Sequence, residues 1–165
     1  LPQAKIITID FDKYSKDTRY SEKILRKFKN VKLIYGNSKK IIPIHVKKNT
    51  ILVIDGPKGE DAIIMVAELL LQYPQISAVF IDDLSKDIYE REIAKSVFPT
   101  IIFADDKDFV KKFKSLDVIN YPSKPHIALI HNSKNSVDKK VFKNYLTYYK
   151  NNNNLKNLLK RIVVN

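Results

Sequence analysis

The stretch Asn49–Glu60, N-T-I-L-V-I-D-G-P-K-G-E, restricts the possible folds of this chain more than any other. Ile51–Ile54 is short, wholly apolar and β-rich. A strand reads that way when both its faces are covered, as in a parallel α/β sheet. The run stops at Asp55-Gly56-Pro57-Lys58-Gly59, a carboxylate running into a tight loop, and Asp61–Leu71 then carries apolar residues at helical period. In open α/β sheets ligands bind outside the carboxyl ends of the strands, so Asp55 is the first candidate site residue. The competing reading is local: Asp55 caps the turn and the glycines let the chain reverse.

The same alternation runs along the chain. Lys5–Asp12 predicts a buried strand with an acidic end. Arg19–Phe28 places Tyr20, Ile24, Leu25 and Phe28 at helical spacing, predicting an amphipathic helix. Val31–Tyr35 reads as a strand ending at Gly36-Asn37-Ser38, and Lys39–Val46 as a short helix or turn broken by Pro43. Ile76–Ile81 ends at Asp82-Asp83. Ile88–Val97 is helical with an E-R-E cluster on its open face. Thr100–Phe103 is a strand, Phe109, Val110 and Phe113 share a short helix, and Ile127–Ile130 is a strand entered through Pro122 and Pro125. Crossovers of this length suit parallel pairing, so the expected class is α/β, doubly wound. Parallel strands would gather Asp10, Gly36-Asn37, Asp55 and Asp82-Asp83 along one edge, a cluster fit for ribose hydroxyls, an amine or a metal. The alternative is that each acidic residue caps the helix after it.

A chain of 165 residues suits one core, and 29% charged with 44% hydrophobic residues is a globular composition. There is no cysteine, which removes disulfides and thiolate metal sites and fits a cytoplasmic location. The run Ile63–Leu71 is too short to span a bilayer, so no membrane partner is expected. The formal charge of +12 makes nucleic acid a candidate partner, though many lysine-rich surfaces bind nothing. An oligomer is also compatible with the sequence. The first residue is Leu1, which reads as a chain whose upstream residues were removed, processed or left out.

The ordered set Ile6–Asp10, V-K-L-I-Y-G-N-S, T-I-L-V-I-D-G-P-K-G, A-V-F-I-D-D, P-T-I-I-F-A-D-D-K-D-F-V-K-K-F and H-I-A-L-I-H resembles class I S-adenosylmethionine-dependent methyltransferases, closest to a branch carrying I-D-G-P-K-G. The resemblance spans roughly Lys5 to His131. It implies a Rossmann-like domain over residues 1–135, with helices on both faces of a mostly parallel sheet and the first strand missing. Residues 136–165 would be a basic helical extension packed on it. The implied cofactor is S-adenosylmethionine, with Asp10, Gly36, Asn37, Ser38, Asp55 and Gly56 as its contacts. Asp10 would accept from the ribose hydroxyls, and Asn37 would receive the adenine amino group where the family usually has Asp. Asp55 and Lys58 would stand beside the reacting groups, and Asp82 and Asp83 would hold a methyl acceptor of unassigned identity. The family's glycine-rich turn is expected before Lys5, where only Leu1-Pro2-Gln3-Ala4 stand.

No metal is assigned. Asp105, Asp106 and Asp108 could hold a divalent cation, but such a cluster also suits a solvated helix N-terminus. His45, His126 and His131 are too scattered to pair on a helix. P-loop and nucleophile-elbow motifs are absent from the sequence. In the tail, Lys139, Lys140, Lys143, Lys150, Lys156, Lys160 and Arg161 interleave with Phe142, Tyr145, Tyr148 and Tyr149. That pattern suits either a nucleic-acid surface or an amphipathic helix docking Val141, Tyr145 and Tyr148, with Asn151–Asn154 as a flexible break. Two functions follow: a methyltransferase or a truncated descendant of one, or a non-enzymatic binding module whose basic surface meets nucleic acid or a protein.

Overall fold

The structure, a computed structural model, describes residues 4–85, 88–113 and 127–163. It is α/β, with six strands and six helices among the described residues, and it divides into two compact units, Leu1–Val46 and Lys47–Asn165.

The first unit contains β1 (Ile6–Asp10), α1 (Lys16–Leu25), β2 (Val31–Tyr35) and α2 (Ser38–His45). β1 and β2 pair in parallel, with Ile6 opposite Val31 and Asp10 opposite Tyr35. Ser15 caps α1 by accepting from the Thr18 amide at 3.0 Å. The buried Thr18 hydroxyl donates to Asp10 Oδ2 at 2.7 Å, tying the helix start to the strand end. This anchor fixes the rotation of α1. Thr18, with the half-buried Glu22 and Leu25, faces inward, while Tyr20, Ile24 and Phe28 are exposed. The expected apolar face of this helix is therefore largely turned out. β1 is likewise half-buried, with Ile6 exposed, because its sheet has only two strands. Pro43 lies within α2 without breaking it: it removes a single hydrogen bond, to the Lys39 carbonyl.

The second unit contains β3 (Thr50–Ile54), α3 (Glu60–Gln72), β4 (Ile76–Ile81), α4 (Tyr89–Val97), β5 (Ile102–Phe103), α5 (Lys107–Phe113), β6 (Ala128–His131) and α6 (Lys139–Val163). Its sheet order is β3-β4-β6-β5. β3 and β4 are parallel, and β6 is antiparallel to both β4 and β5. The sheet is mixed, with one parallel and two antiparallel pairings, where a mostly parallel one was expected. Nothing in a four-residue apolar run encodes the direction in which it is traversed.

The core sits here. α3 buries Ala62 through Ala67, Leu69 and Leu70, so it is apolar nearly all round, and its Glu60 and Asp61 stand at the favourable end of the helix dipole. Ile76, Val79 and Ile81 of β4, with Val97, Phe98, Phe103 and Ile130, complete the packing. Each such side chain contributes roughly 1.5–3 kcal/mol on burial. β3 departs from expectation. Ile54 is buried, but Ile51 is exposed and Val53 is 72% exposed. β3 is an edge strand, bonded to β4 alone among the described residues, and only one of its faces is covered.

Two further corrections concern helices. The E-R-E cluster of α4 does not lie wholly on an open face: Arg91 is buried while Glu92 is exposed. α6 runs through Asn151–Asn154 without the expected break. Asp138 Oδ1 starts it, accepting from the amides of Lys140 and Val141 at 3.0 and 2.9 Å. Phe142 is buried, Val141 and Tyr145 are half-buried, and Tyr148 is exposed rather than docked. The Tyr145 hydroxyl donates to Glu60, and burial, followed by this bond, pushes its ionisation well above the ordinary tyrosine range. Packing therefore occupies Phe142 and Tyr145, two of the aromatics that a nucleic-acid reading of the tail requires. Pro122, Pro125 and His126 lie outside the described residues. No helix among those described is long and apolar enough to cross a membrane.

Candidate functional site

In each unit a parallel strand pair delivers polar residues to its carboxyl end. In the second unit the β3–β4 ladder pairs Ile54 with Ile81 and continues one step further, with the Asp82 amide donating to the Ile54 carbonyl at 2.9 Å. This step holds the start of the Asp55 loop next to Asp82. The loop turns through a cis Gly56–Pro57 bond and ends at Gly59, whose φ of +60° starts α3 without a side-chain cap. Asp55 is therefore not the cap of the following helix. An added Cβ at Gly59 would lie 3.3 Å from Glu90 Oε1, whereas at Gly56 it would meet nothing within 4 Å.

Lys58 turns back over this rim. Its ammonium bonds Asp55, lies 2.6 Å from Asp83 and stands 3.6 Å from Asp82. Asp55, Lys58, Asp82 and Asp83, all singled out from the sequence, are thus brought together. Each of the three carboxylates offers an oxygen within 4.8 Å of the others, so these are the residues that could hold a cation, at the position the lysine now serves. The hydrogen bond from Lys58 holds the Asp55 carboxyl below the usual aspartate range, against a smaller opposing effect of burial. Burial pulls the Lys58 ammonium down, but the hydrogen bonds and charges of Asp55 and Asp83 outweigh it and keep its pKa above the ordinary lysine value. Asp83 has φ of +61°, a left-handed conformation that aspartate tolerates better than most residues.

The cluster is open to solvent: the Asp55 side chain is 76% exposed and that of Lys58 50%. Ion pairs in that setting contribute about 0–1 kcal/mol. The fold does not depend on this network, which leaves its groups accessible to a ligand.

The first unit repeats the arrangement. The Gly36 amide donates to the Asp10 carbonyl at 2.8 Å, one step beyond the last pair of β1 and β2. Asp10 Oδ1 accepts from the Asp12 amide at 3.0 Å and Oδ2 from Thr18. Asn37 caps α2, its Oδ1 accepting from the Lys39 amide at 2.9 Å, with Ser38 as the first helical residue. At Asn37 the capping interpretation holds, while Asp10 braces its own loop.

The buried ion pair is elsewhere, and the sequence did not reveal it. Arg91 reaches Asp105 with both terminal nitrogens, at 2.7 and 3.1 Å, and its guanidinium lies 3.7 Å over the Phe103 ring. Asp106 accepts from the Phe103 amide at 2.8 Å. Asp105 and Asp106 therefore brace the structure here, and the cation-site reading of this cluster loses its ligands. An arginine flanked by two glutamates gives no signal that it will be buried. His45 ends α2 and His131 ends β6, far apart in sequence and without a metal-ligand group among the described residues. Searched against family models, curated proteins and solved structures, the chain matches none.

Proposed function

We propose that this chain is a methyltransferase-type protein with a Rossmann-like fold that uses S-adenosylmethionine, its acceptor chemistry lying at the Asp55–Lys58–Asp82–Asp83 rim. The observation that carries the reading is the side-by-side delivery of Asp55 and Asp82 by a parallel strand pair, at the end of the strands where open α/β sheets bind ligands. The residues that the resemblance assigns to the cofactor have capacity for it. A carboxylate has about four acceptor sites, and the two donors on Asp10 leave room for two ribose hydroxyls. The Asn37 carbonyl retains one acceptor site beside the Lys39 amide, enough for one amino hydrogen. Gly56 keeps open space where a side chain would stand.

The cofactor supplies an electrophilic methyl group on a sulfonium. The chain would supply alignment of the two reactants, the usual contribution to a transfer of this kind. Asp55, held ionised by Lys58, would accept a hydrogen bond from the acceptor and orient it, and Lys58 would offer charge to an anionic or polar acceptor and hold Asp82 and Asp83 in place.

Calorimetric titration with S-adenosylmethionine tests the proposal. Binding that the demethylated product displaces is the expected result. Gly56→Ala should leave the melting temperature unchanged, because nothing in the chain meets the added methyl, yet weaken binding about tenfold by intruding on the ligand. Absence of heat, or binding indifferent to Gly56→Ala, would contradict it.

A further inference from the structure

The outward face of α1 has no role in the fold or in the rim chemistry. From Phe11 to Phe28 the first unit exposes a run of large rings: Phe11 is 80% exposed, Tyr14 79% and Tyr20 67%, with Phe28 at the end of the run. Tyr20, Ile24 and Phe28 follow one another at four-residue steps. Arg19, Lys23 and Lys27, all exposed, follow the same steps one residue behind. An aromatic stripe and a basic stripe therefore run side by side along the helix and the turn after it.

Charge is concentrated in the same unit. Leu1–Val46 holds eleven Lys and Arg against four Asp and Glu, a formal +7 of the chain's +12, although the other unit is more than twice as long. Of the acidic residues, Asp10 is engaged by Thr18 and the Asp12 amide, Asp12 accepts from the Tyr14 amide, and Glu22 is paired with Arg26 at 2.7 Å, leaving Asp17 at the first turn of α1. Water is a poor surrounding for this many rings, and the charge beside them selects for an anion.

We propose that this face, Phe11, Tyr14, Tyr20 and Phe28 with Arg19, Lys23 and Lys27, binds single-stranded nucleic acid. Rings stack on unpaired bases while the lysines follow the phosphates, a combination that tolerates any sequence. Tyr20 and Ile24 are separated by about 6 Å along the helix, wider than the roughly 3.4 Å between stacked bases of a duplex strand. The face thus fits bases that have come apart, not the edge of a helix of paired ones. An anionic membrane fits less well, because α1 has only 10 residues, short for a helix lying in the interface. The inference is independent of the methyltransferase reading and is measured without turnover.

The test is fluorescence anisotropy of a labelled 20-nucleotide oligothymidylate with the whole chain at low salt. The expected result is binding that weakens with salt, with a slope near −2 for about three phosphate contacts, and that prefers the single strand to a duplex of equal length. Tyr20→Ala with Phe28→Ala should weaken it about tenfold or more. Lys23→Glu with Lys27→Glu should weaken it and flatten the salt slope. All four positions are exposed, so circular dichroism should show unchanged folding. Binding unaffected by both double variants, or lost only on changing Lys139, Lys140 and Lys143 of α6, would overturn the proposal. So would equal affinity for duplex, or binding to phosphatidylserine vesicles with none to the oligonucleotide. Concentration-dependent self-association through this face, without oligonucleotide binding, would also overturn it.

Discussion

Arg91→Leu lowers the stability of the protein by about 3 kcal/mol, read as a reduced denaturation midpoint in urea. The Arg91 side chain is 6% exposed and that of Asp105 13%, so removal of the cation leaves a carboxylate with little water to replace it. The Phe103 ring loses the guanidinium stacked on it, and the Leu84 carbonyl loses a donor at 3.3 Å. Removing both charges, in Arg91→Leu with Asp105→Leu, recovers much of the loss, because the cost comes from the unpaired partner. Glu92→Gln is the control: its pair with Lys95 lies on the surface, and its effect stays within about 0.5 kcal/mol. If Arg91→Leu behaved like Glu92→Gln, the structural role assigned to Arg91 would be wrong.

Lys58→Ala reverses the pH dependence contributed by the rim. In the native protein the Asp55 carboxyl is held low, so its stabilisation is present above its unfolded value and lost as pH falls through the folded one. The Lys58 ammonium is held high, so its stabilisation is complete below its unfolded value and lost as pH rises through the folded one. From about pH 5 to 9 neither group changes, and the contribution is flat. Without the lysine, Asp55 faces Asp82 and Asp83 across a few ångströms with no cation between them. Its carboxyl then moves above the ordinary aspartate value. The sign follows: the variant gains stability as pH falls from about 5 to 3, where the native protein loses it. Denaturation midpoints at the two pH values, with carbon-detected titration of Asp55, give the answer. The same slope in both proteins would show that Lys58 does not hold the cluster together.

The short apolar runs and their acidic ends were legible because strand length, β-branched composition and an abrupt Asp or Gly are local properties. They placed β1 to β4, and they singled out Asp55, Lys58, Asp82 and Asp83, which the structure gathers. Decisions made by partners were not legible. Ile51 and Val53 have the composition of a doubly covered strand but sit at a sheet edge, and only pairing order could have revealed that. The direction of β6 is of the same kind. Tyr20, Ile24 and Phe28 have the period of a buried face, yet the Ser15–Thr18–Asp10 hydrogen bonds set the rotation of α1 and turned them outward. From sequence Arg91 is expected in solvent because charge usually is, and its partner lies fourteen residues downstream across a strand. In each case a small number of specific hydrogen bonds or pairings outweighed a pattern built from averages.

The central claim, that the carboxyl-end rim is where S-adenosylmethionine chemistry takes place, is tested most directly by mapping amide chemical-shift changes on adding the cofactor to isotope-labelled protein. The account predicts shifts at Gly56, Lys58, Gly59, Asp82 and Asp83, and none on the outward face of α1. Shifts confined to other residues, or no shifts at millimolar cofactor, would contradict it.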